Sequence, residues 1–144
     1  MKNKVTTIVA AVGLFLALAV SISAQTPTGA EVNIPFDFSA GKAHLKAGTY
    51  VITRSTGNAL QIRSTDGKKT VLVNAPLTLG SRDFKAGERL VFNRYGSEYF
   101  LTQVWLTVDT GRQLFPSKVE TAAARQLANN NTKAGRVEIA IKNR

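Results

Sequence analysis

The sequence predicts a mainly β protein: an antiparallel β-sandwich or a barrel-like single domain, with one short C-terminal helix followed by a last strand. Apolar and polar residues alternate over several short runs, which is typical of strands with one buried face. Turn-forming residues separate these runs at intervals of roughly 8 to 12 residues. One segment near the C-terminus instead combines a helix-capping signal with good helix formers.

The chain begins with the features of a secretory signal peptide over residues 1–24. Lys2 and Lys4 precede the apolar run 5–20, and small residues follow up to Ala24. An uncleaved membrane anchor is the alternative, but this run is shorter than the roughly 20 apolar residues that span a bilayer. We therefore predict cleavage after Ala24, a secreted or periplasmic protein, and no transmembrane segment in the mature chain.

The mature chain is strongly basic and contains no cysteine. Without Lys2 and Lys4, 17 of the 19 basic residues remain against 9 acidic ones, a net charge of +8. This excess favours anionic partners such as envelope polysaccharide, lipid head groups or nucleic acid. The lack of cysteine excludes disulfides, thiol catalysis and a lipid anchor on cysteine.

The strand pattern begins after a polar leader, residues 25–30, which we predict to be flexible and to precede a single β-rich domain, 31–144. In the run 31–38, EVNIPFDF, apolar and polar residues alternate, and Pro35 places this strand at a sheet edge. Further strands are predicted over residues 49–54, 59–64, 70–79, 89–95, 99–108 and 136–141.

Glycines mark the predicted turns. The tripeptide KAG introduces three strands, and we predict positive φ for its glycines, Gly48, Gly87 and Gly135. The alternative is that the three lysines of these tripeptides converge to bind an anion. The other turns are predicted at residues 56–58, 66–67, 96–97 and 109–111.

A helix is predicted after Pro116. Ser117 and Glu120 have the spacing of a capping box, and the asparagines 129–131 end the segment. We expect the helix to pack across a sheet face through a narrow apolar stripe formed by Val119, Ala122, Ala123 and Leu127.

Catalytic and metal-binding patterns are absent or incomplete. A Ser-His-Asp triad would have to use the one histidine, His44, and no serine lies in a G-x-S-x-G nucleophile elbow. Ser39 and Lys42 have the S-x-x-K spacing of serine acyl-transferases, but the companion motifs S-D-N and K-T-G are absent. No calcium loop, histidine metal pair, phosphate loop or dinucleotide fingerprint occurs. We predict no enzyme activity, no metal and no cofactor. A hydrolase that uses carboxylates from separate strands is the alternative.

The stretch LVFNRYGSEYFLTQVW, residues 90–105, predicts a hairpin that turns at Gly96 and Ser97. Both faces of this hairpin are partly apolar, which indicates a central position in the sheet. We expect Phe92, Phe100 and Trp105 to be buried. The predicted pairs are Tyr95 with Glu98, Arg94 with Tyr99, Phe92 with Leu101, and Leu90 with Gln103.

Three residues near this turn form the candidate binding site: Arg94, Tyr95 and Tyr99. Their polar tips seek water or a partner, and Arg94 is placed to lie over the Tyr99 ring as a cross-strand cation-π pair. The alternative is a purely structural aromatic corner.

Several motifs resemble a family of short secreted acidobacterial proteins of uncharacterised function: VNIPFDFSAG, LKAGTYVITR, LQIRSTDG, and LVFNRYGSEYFLTQVW followed by PSKVE. The resemblance covers roughly residues 32–127, and RYG-x-x-YFL-x-x-VW is its most specific part. Lys46 stands where the family tends to have proline. The resemblance implies secretion and a β-rich fold, and it brings no catalytic residues.

These observations favour a secreted or periplasmic non-enzymatic module that binds an envelope or extracellular polysaccharide or another anionic polymer. A carboxylate hydrolase is one alternative. The other is a nucleic-acid or anionic-lipid binder that works through charge alone, since no specific nucleic-acid motif occurs.

Overall fold

The computed structural model describes residues 29–142. The predicted signal peptide, residues 1–24, lies outside the described residues, as does most of the predicted leader. In chain order the elements are β1 (Ala30–Ile34), β2 (Phe38–Ala40), β3 (Ala43–Leu45), β4 (Gly48–Arg54), β5 (Ala59–Ser64), β6 (Thr70–Asn74), β7 (Leu77–Gly80), a 3-10 helix (Phe84–Ala86), β8 (Arg89–Tyr95), β9 (Glu98–Trp105), β10 (Thr110–Gln113), α1 (Lys118–Asn129) and β11 (Gly135–Ala140).

The strands form two sheets. The smaller sheet has the order β1-β4-β5-β6 and is antiparallel throughout. The larger sheet has the order β11-β8-β9-β10-β7 and carries the β2–β3 hairpin on β9. That attachment is a parallel pairing of Ser39 with Phe100, whereas the other strand pairs of the described residues are antiparallel.

An apolar core lies between the sheets, which do not close into a barrel. The mainly β prediction, with one helix and a last strand after it, is therefore confirmed. Burying each large aliphatic or aromatic side chain stabilises the fold by about 1.5–3 kcal/mol. The smaller sheet contributes Val32, Ile34, Ile52, Leu60 and Ile62, and the larger sheet contributes Phe38, Leu90, Phe92, Leu101 and Val104.

Two predicted strands are each split between the sheets. The predicted run 31–38 breaks after Ile34, and the chain crosses to the larger sheet before Phe38. The predicted run 70–79 breaks after Asn74 in the same way. Proline follows each break, at Pro35 and Pro76, and because proline lacks an N–H it cannot continue a ladder.

The ends of the strand pattern also differ from the prediction. Strand β1 starts at Ala30, inside the predicted leader, and β9 ends at Trp105 instead of residue 108. Strand β10 was not predicted, because Thr-Gly-Arg-Gln has no apolar alternation.

Positive φ is confirmed at Gly57, Gly67 and Gly96 in the predicted turns. Of the KAG glycines, only Gly87 has it, with φ 63°. The prediction for Gly48 and Gly135 is wrong, because each is the first residue of a strand and takes strand geometry.

The central hairpin follows the predicted register from its turn as far as Phe92 and Leu101. A bulge between Val91 and Phe92 then shifts the pairing, so Leu90 lies opposite Val104 instead of Gln103. Because one extra residue reverses the alternation, Trp105 lies on the face opposite Phe92, whereas unbroken alternation along both strands predicts that they share a face. Phe92, Phe100 and Trp105 are all buried, as predicted.

Helix α1 has the predicted bounds, and its N-cap Ser117 accepts a hydrogen bond from the backbone N–H of Glu120 at 3.1 Å. The predicted apolar stripe is half correct: Ala123 and Leu127 are half-buried beside Tyr95, whereas Val119 and Ala122 are exposed. Val119 is 61% exposed, and in α1, which is described in full, the one buried residue is Glu120, 5% exposed. None of the helices within residues 29–142 is long and apolar enough to cross a membrane.

Candidate anion-binding site

The three sequence-predicted site residues are not brought together. Arg94 and Tyr99 pair across β8 and β9, whereas Tyr95 lies on the opposite face under α1. The Tyr95 hydroxyl is 3.5 Å from Oε1 of Glu120. Burial raises the pKa of Tyr95, and the nearby Glu120 carboxylate raises this pKa further. Tyr95 therefore belongs to the contact between helix and sheet.

Tyr99 takes part in an aromatic stack. Its ring lies on that of Phe36, with centroids 3.9 Å apart and planes 16° apart, and Phe36 meets Phe92 edge-on at 5.2 Å. Arg94 is exposed. Among residues 29–142 the cation-π pair is Arg89 over Trp105, at 4.4 Å from the ring centroid, so the predicted Arg94–Tyr99 pair is not formed.

A cleft of about 360 Å³ lies between the β3–β4 and β5–β6 connections, and we call it the loop cleft. Residues 44–50 form one wall, and Ser64, Thr65, Asp66, Lys68 and Lys69 form the other. The backbone N–H of Thr65 donates to the carbonyl oxygen of Thr49 at 3.0 Å, which holds the two walls together. Basic side chains come from both walls: His44, Lys46, Lys68 and Lys69.

The β5–β6 wall is ordered by side-chain hydrogen bonds. Asp66 accepts from the Ser64 hydroxyl and from the backbone N–H of Lys68, the latter at 3.0 Å. These two bonds, the Ser64 bond first, lower the pKa of Asp66. The backbone N–H of Lys69 donates to Ser64 Oγ at 2.9 Å. The two lysines are thus presented from a fixed turn, whose Gly67 has φ 73°.

The β3–β4 wall is held by Asp37. Its carboxylate accepts from Lys46 Nζ at 2.8 Å and from the backbone N–H of Ala47 at 2.9 Å. The Lys46 bond and then the Ala47 bond lower the pKa of Asp37, and the Asp37 bond raises the pKa of Lys46. The Tyr50 hydroxyl donates to the Lys46 carbonyl oxygen at 2.7 Å, which fixes the backbone behind the cleft.

The loop cleft is positively charged. Three lysines, Lys46, Lys68 and Lys69, lie against two carboxylates, Asp37 and Asp66, so the balance is +1 before any charge on His44. Lys68 is only loosely paired, with Nζ 3.9 Å from Asp66 Oδ2 and an 85% exposed side chain. Within the described part of the chain, Lys69 has no acidic partner.

Tyr99 is linked to this cleft through Phe36. Phe36 stacks on Tyr99, and its chain neighbour Asp37 holds Lys46 at the cleft wall. Arg94 pairs with Tyr99 on one side and with Gly135 of β11 on the other, in the larger sheet.

Three of the aspartates are poor candidates for a general acid. A glycosidase general acid needs a raised pKa, but hydrogen bonds lower the pKa values of Asp37, Asp66 and Asp109. Among residues 29–142 no three His, Cys, Asp or Glu side chains are grouped as a metal site.

Comparison of the chain with protein-family models, with curated proteins and with solved structures finds no match. The acidobacterial resemblance stays a prediction.

Lys68 and Lys69 follow the predicted turn at residues 66–67, where a pair of charged residues by itself indicates only a solvated surface. The partnership with His44 and Lys46 has no signal in the sequence, because it depends on two loops that meet only after β4 and β5 pair.

Proposed function

We propose that the protein is a secreted or periplasmic, non-enzymatic β-sandwich module that binds an acidic polysaccharide, or a similar anionic polymer of the envelope or matrix, in the loop cleft. One observation carries the proposal. Lysines from two separate loops, Lys46, Lys68 and Lys69, converge on one cleft, and Lys69 has no acidic partner within the described residues.

The small free energy of each exposed ion pair favours a polymer over a small anion as the ligand. An exposed ion pair contributes only about 0.2–1 kcal/mol, so a few lysines hold a single anionic group weakly. A polymer repeats its charge, so it can engage further cations of the chain at the same time. Over residues 29–142, 16 basic residues exceed 9 acidic ones by seven, so further cations are present.

Hydrogen-bonding groups in the cleft suit a sugar as well as a charge. Thr49 and Thr65 line the same space as the lysines. Hydroxyl groups bind sugar hydroxyls, while ammonium groups bind carboxylate or sulfate substituents. This combination favours an acidic glycan over a chain that bears phosphate alone.

Affinity electrophoresis through gels that contain polygalacturonate tests the proposal. We expect the double variant Lys68→Gln, Lys69→Gln to lose most of its retardation. The matched control is Lys85→Gln, Lys118→Gln, which removes the same charge at exposed positions outside the cleft. The control should be retarded nearly as strongly as the parent protein.

The alternative binders give other outcomes in the same experiment. Equal loss in both double variants would show that net charge alone drives binding, as expected for a nucleic-acid or anionic-lipid binder. Retardation by duplex DNA that exceeds retardation by the glycan, and that collapses with salt, would overturn the glycan proposal.

The predicted location has its own test. N-terminal sequencing of the exported protein should begin at Gln25, the residue that follows the predicted cleavage site. An intact N-terminus on a membrane-bound chain would contradict secretion.

A further inference from the structure

Strand β6 forms a free edge of the smaller sheet, since the order β1-β4-β5-β6 leaves one side of it unpaired within the described residues. Such an edge presents a row of unpaired N–H and C=O groups. Proteins often protect edges with charge or proline, and β1 and β11 carry Glu31, Arg136 and Glu138. Neither β6, TVLVN, nor the edge strand β7 of the larger sheet, LTLG, contains a charged residue or proline.

A groove of about 400 Å³ runs beside this edge, and we call it the edge groove. Four consecutive residues of β6, 71–74, line one side, so the groove follows the strand direction. Residues 40–43 and 115–117 form the opposite wall. The groove is therefore a slot between a strand edge and a facing wall.

The walls of the edge groove are largely apolar. Leu72 is 63% exposed and Phe115 is 59% exposed, although each is a large hydrophobic side chain. Leu72 lies on the outer side of β6, while Val73 is buried toward the core. A strand added here would alternate its own side chains between these two sides.

The positive charge around the edge groove favours an acidic segment as its occupant. Lys42 is the charged residue among those that line the edge groove. Lys69 precedes the first residue of β6, and Lys118 follows Ser117 in the opposite wall. A second copy of this basic chain would add positive charge to positive charge, whereas an acidic segment would complement all three lysines.

We propose that the edge groove binds an extended segment of a partner protein, apolar at alternate positions and acidic at its ends, which adds a strand to β6. Main-chain hydrogen bonds to the β6 edge would supply affinity, and Leu72 and Phe115 would contact the apolar side chains. This interaction surface shares Lys69 with the loop cleft but does not depend on the glycan proposal.

A fluorescent peptide, acetyl-EEVTVTVEE-amide, is the probe. We expect saturable binding in fluorescence anisotropy and new protection of β6 amides, residues 70–74, in hydrogen exchange. The peptide KKVTVTVKK should bind at least about tenfold more weakly because it meets the same lysines. Replacing the central valine of the acidic peptide with proline should abolish binding, because proline cannot pair with the edge.

Variants of the protein locate the site. Leu72→Lys places a charge on the exposed side of the edge and should weaken peptide binding at least about tenfold. The matched control is Leu77→Lys on β7, a partly exposed leucine in the other sheet, which should bind like the parent. Lys42→Glu should weaken binding of the acidic peptide and improve binding of the basic one.

Three results would overturn the proposal: no binding of the acidic peptide to the parent protein, equal binding by Leu72→Lys, or protection at a strand other than β6. Self-association that Leu72→Lys abolishes, seen by sedimentation without peptide, would also contradict it, because the occupant would then be a second copy.

Discussion

The side-chain amide of Asn93 on β8 donates a 3.0 Å hydrogen bond to Oε1 of Glu120 on α1. This bond joins the helix to the outer face of the larger sheet at a buried position. The Tyr95 hydroxyl approaches the same oxygen at 3.5 Å. A carboxylate thus occupies the contact where the sequence pattern predicts an apolar stripe.

Removing this carboxylate should loosen the helix. Glu120→Ala leaves the half-buried Asn93 amide without its charged acceptor, and we expect a loss of about 1–3 kcal/mol in the free energy of unfolding, measured with urea. Glu120→Gln keeps an acceptor and should lose less. If Glu120→Ala unfolds at the same urea concentration as the parent, the bond does not hold the helix.

Gly111 lies directly under the indole ring of Trp105. A Cβ at this position would lie 2.5 Å from a ring carbon, so Gly111→Ala should force the ring to move and destabilise the protein by about 1–3 kcal/mol. Trp105 is the sole tryptophan, and its fluorescence should shift with the ring. Gly80→Ala is the control, since its Cβ meets nothing within 4 Å. Equal effects at both sites would contradict this packing.

Acid should destabilise the folded protein by protonating Asp37 and Asp66, which order the walls of the loop cleft. The pKa values of Asp37 and Asp66 are lowered in the folded state, so their contribution to stability is fully present above their ordinary value of 3.8 and is lost as the pH falls through the lowered values. Because of these two groups, we expect the urea concentration at the midpoint of unfolding to stay constant from pH 7 to about pH 5. It should decrease once the pH is below about 4. Asp37→Asn should be less stable at pH 7 and lose less on acidification. If the stability of Asp37→Asn falls with pH as steeply as that of the parent protein, Asp37 does not have this role.

Variants of Tyr99 distinguish a role in the stack on Phe36 from a role in ligand binding. We expect Tyr99→Phe to keep the stack and the unfolding free energy, because the ring is retained, whereas Tyr99→Ala should destabilise the protein by at least about 0.5–1.5 kcal/mol. Both variants are compared by urea unfolding and by glycan retardation. Weaker retardation of a fully stable Tyr99→Phe would assign the hydroxyl to the ligand, and a destabilised Tyr99→Phe would contradict a purely stacking role.

Local signals in the sequence predict much of the fold. Residues 89–95 are predicted as a strand without error, because alternation and the Gly96 turn agree there. The ends of α1 follow from its cap at Ser117 and its terminal asparagines. Periodicity reveals neither the bulge after Val91 nor the crossing of the chain between sheets at Pro76, because both depend on packing against distant strands.

The candidate site is less predictable than the fold. Alternation correctly separates Tyr95 from Arg94 and Tyr99 onto opposite faces of the hairpin, yet the position of α1 decides that Tyr95 binds Glu120. The loop cleft likewise needs tertiary structure, because Lys46 and Lys69 are separated by the whole of β4 and β5.

Nuclear magnetic resonance titration of the isotopically labelled protein with oligogalacturonate tests whether the loop cleft binds the glycan. Binding in the loop cleft predicts that the largest amide shifts fall on residues 44–50 and 64–69, and that Lys68→Gln, Lys69→Gln removes them. Shifts spread evenly over exposed basic residues, or no shifts at all, would contradict the cleft as the binding site.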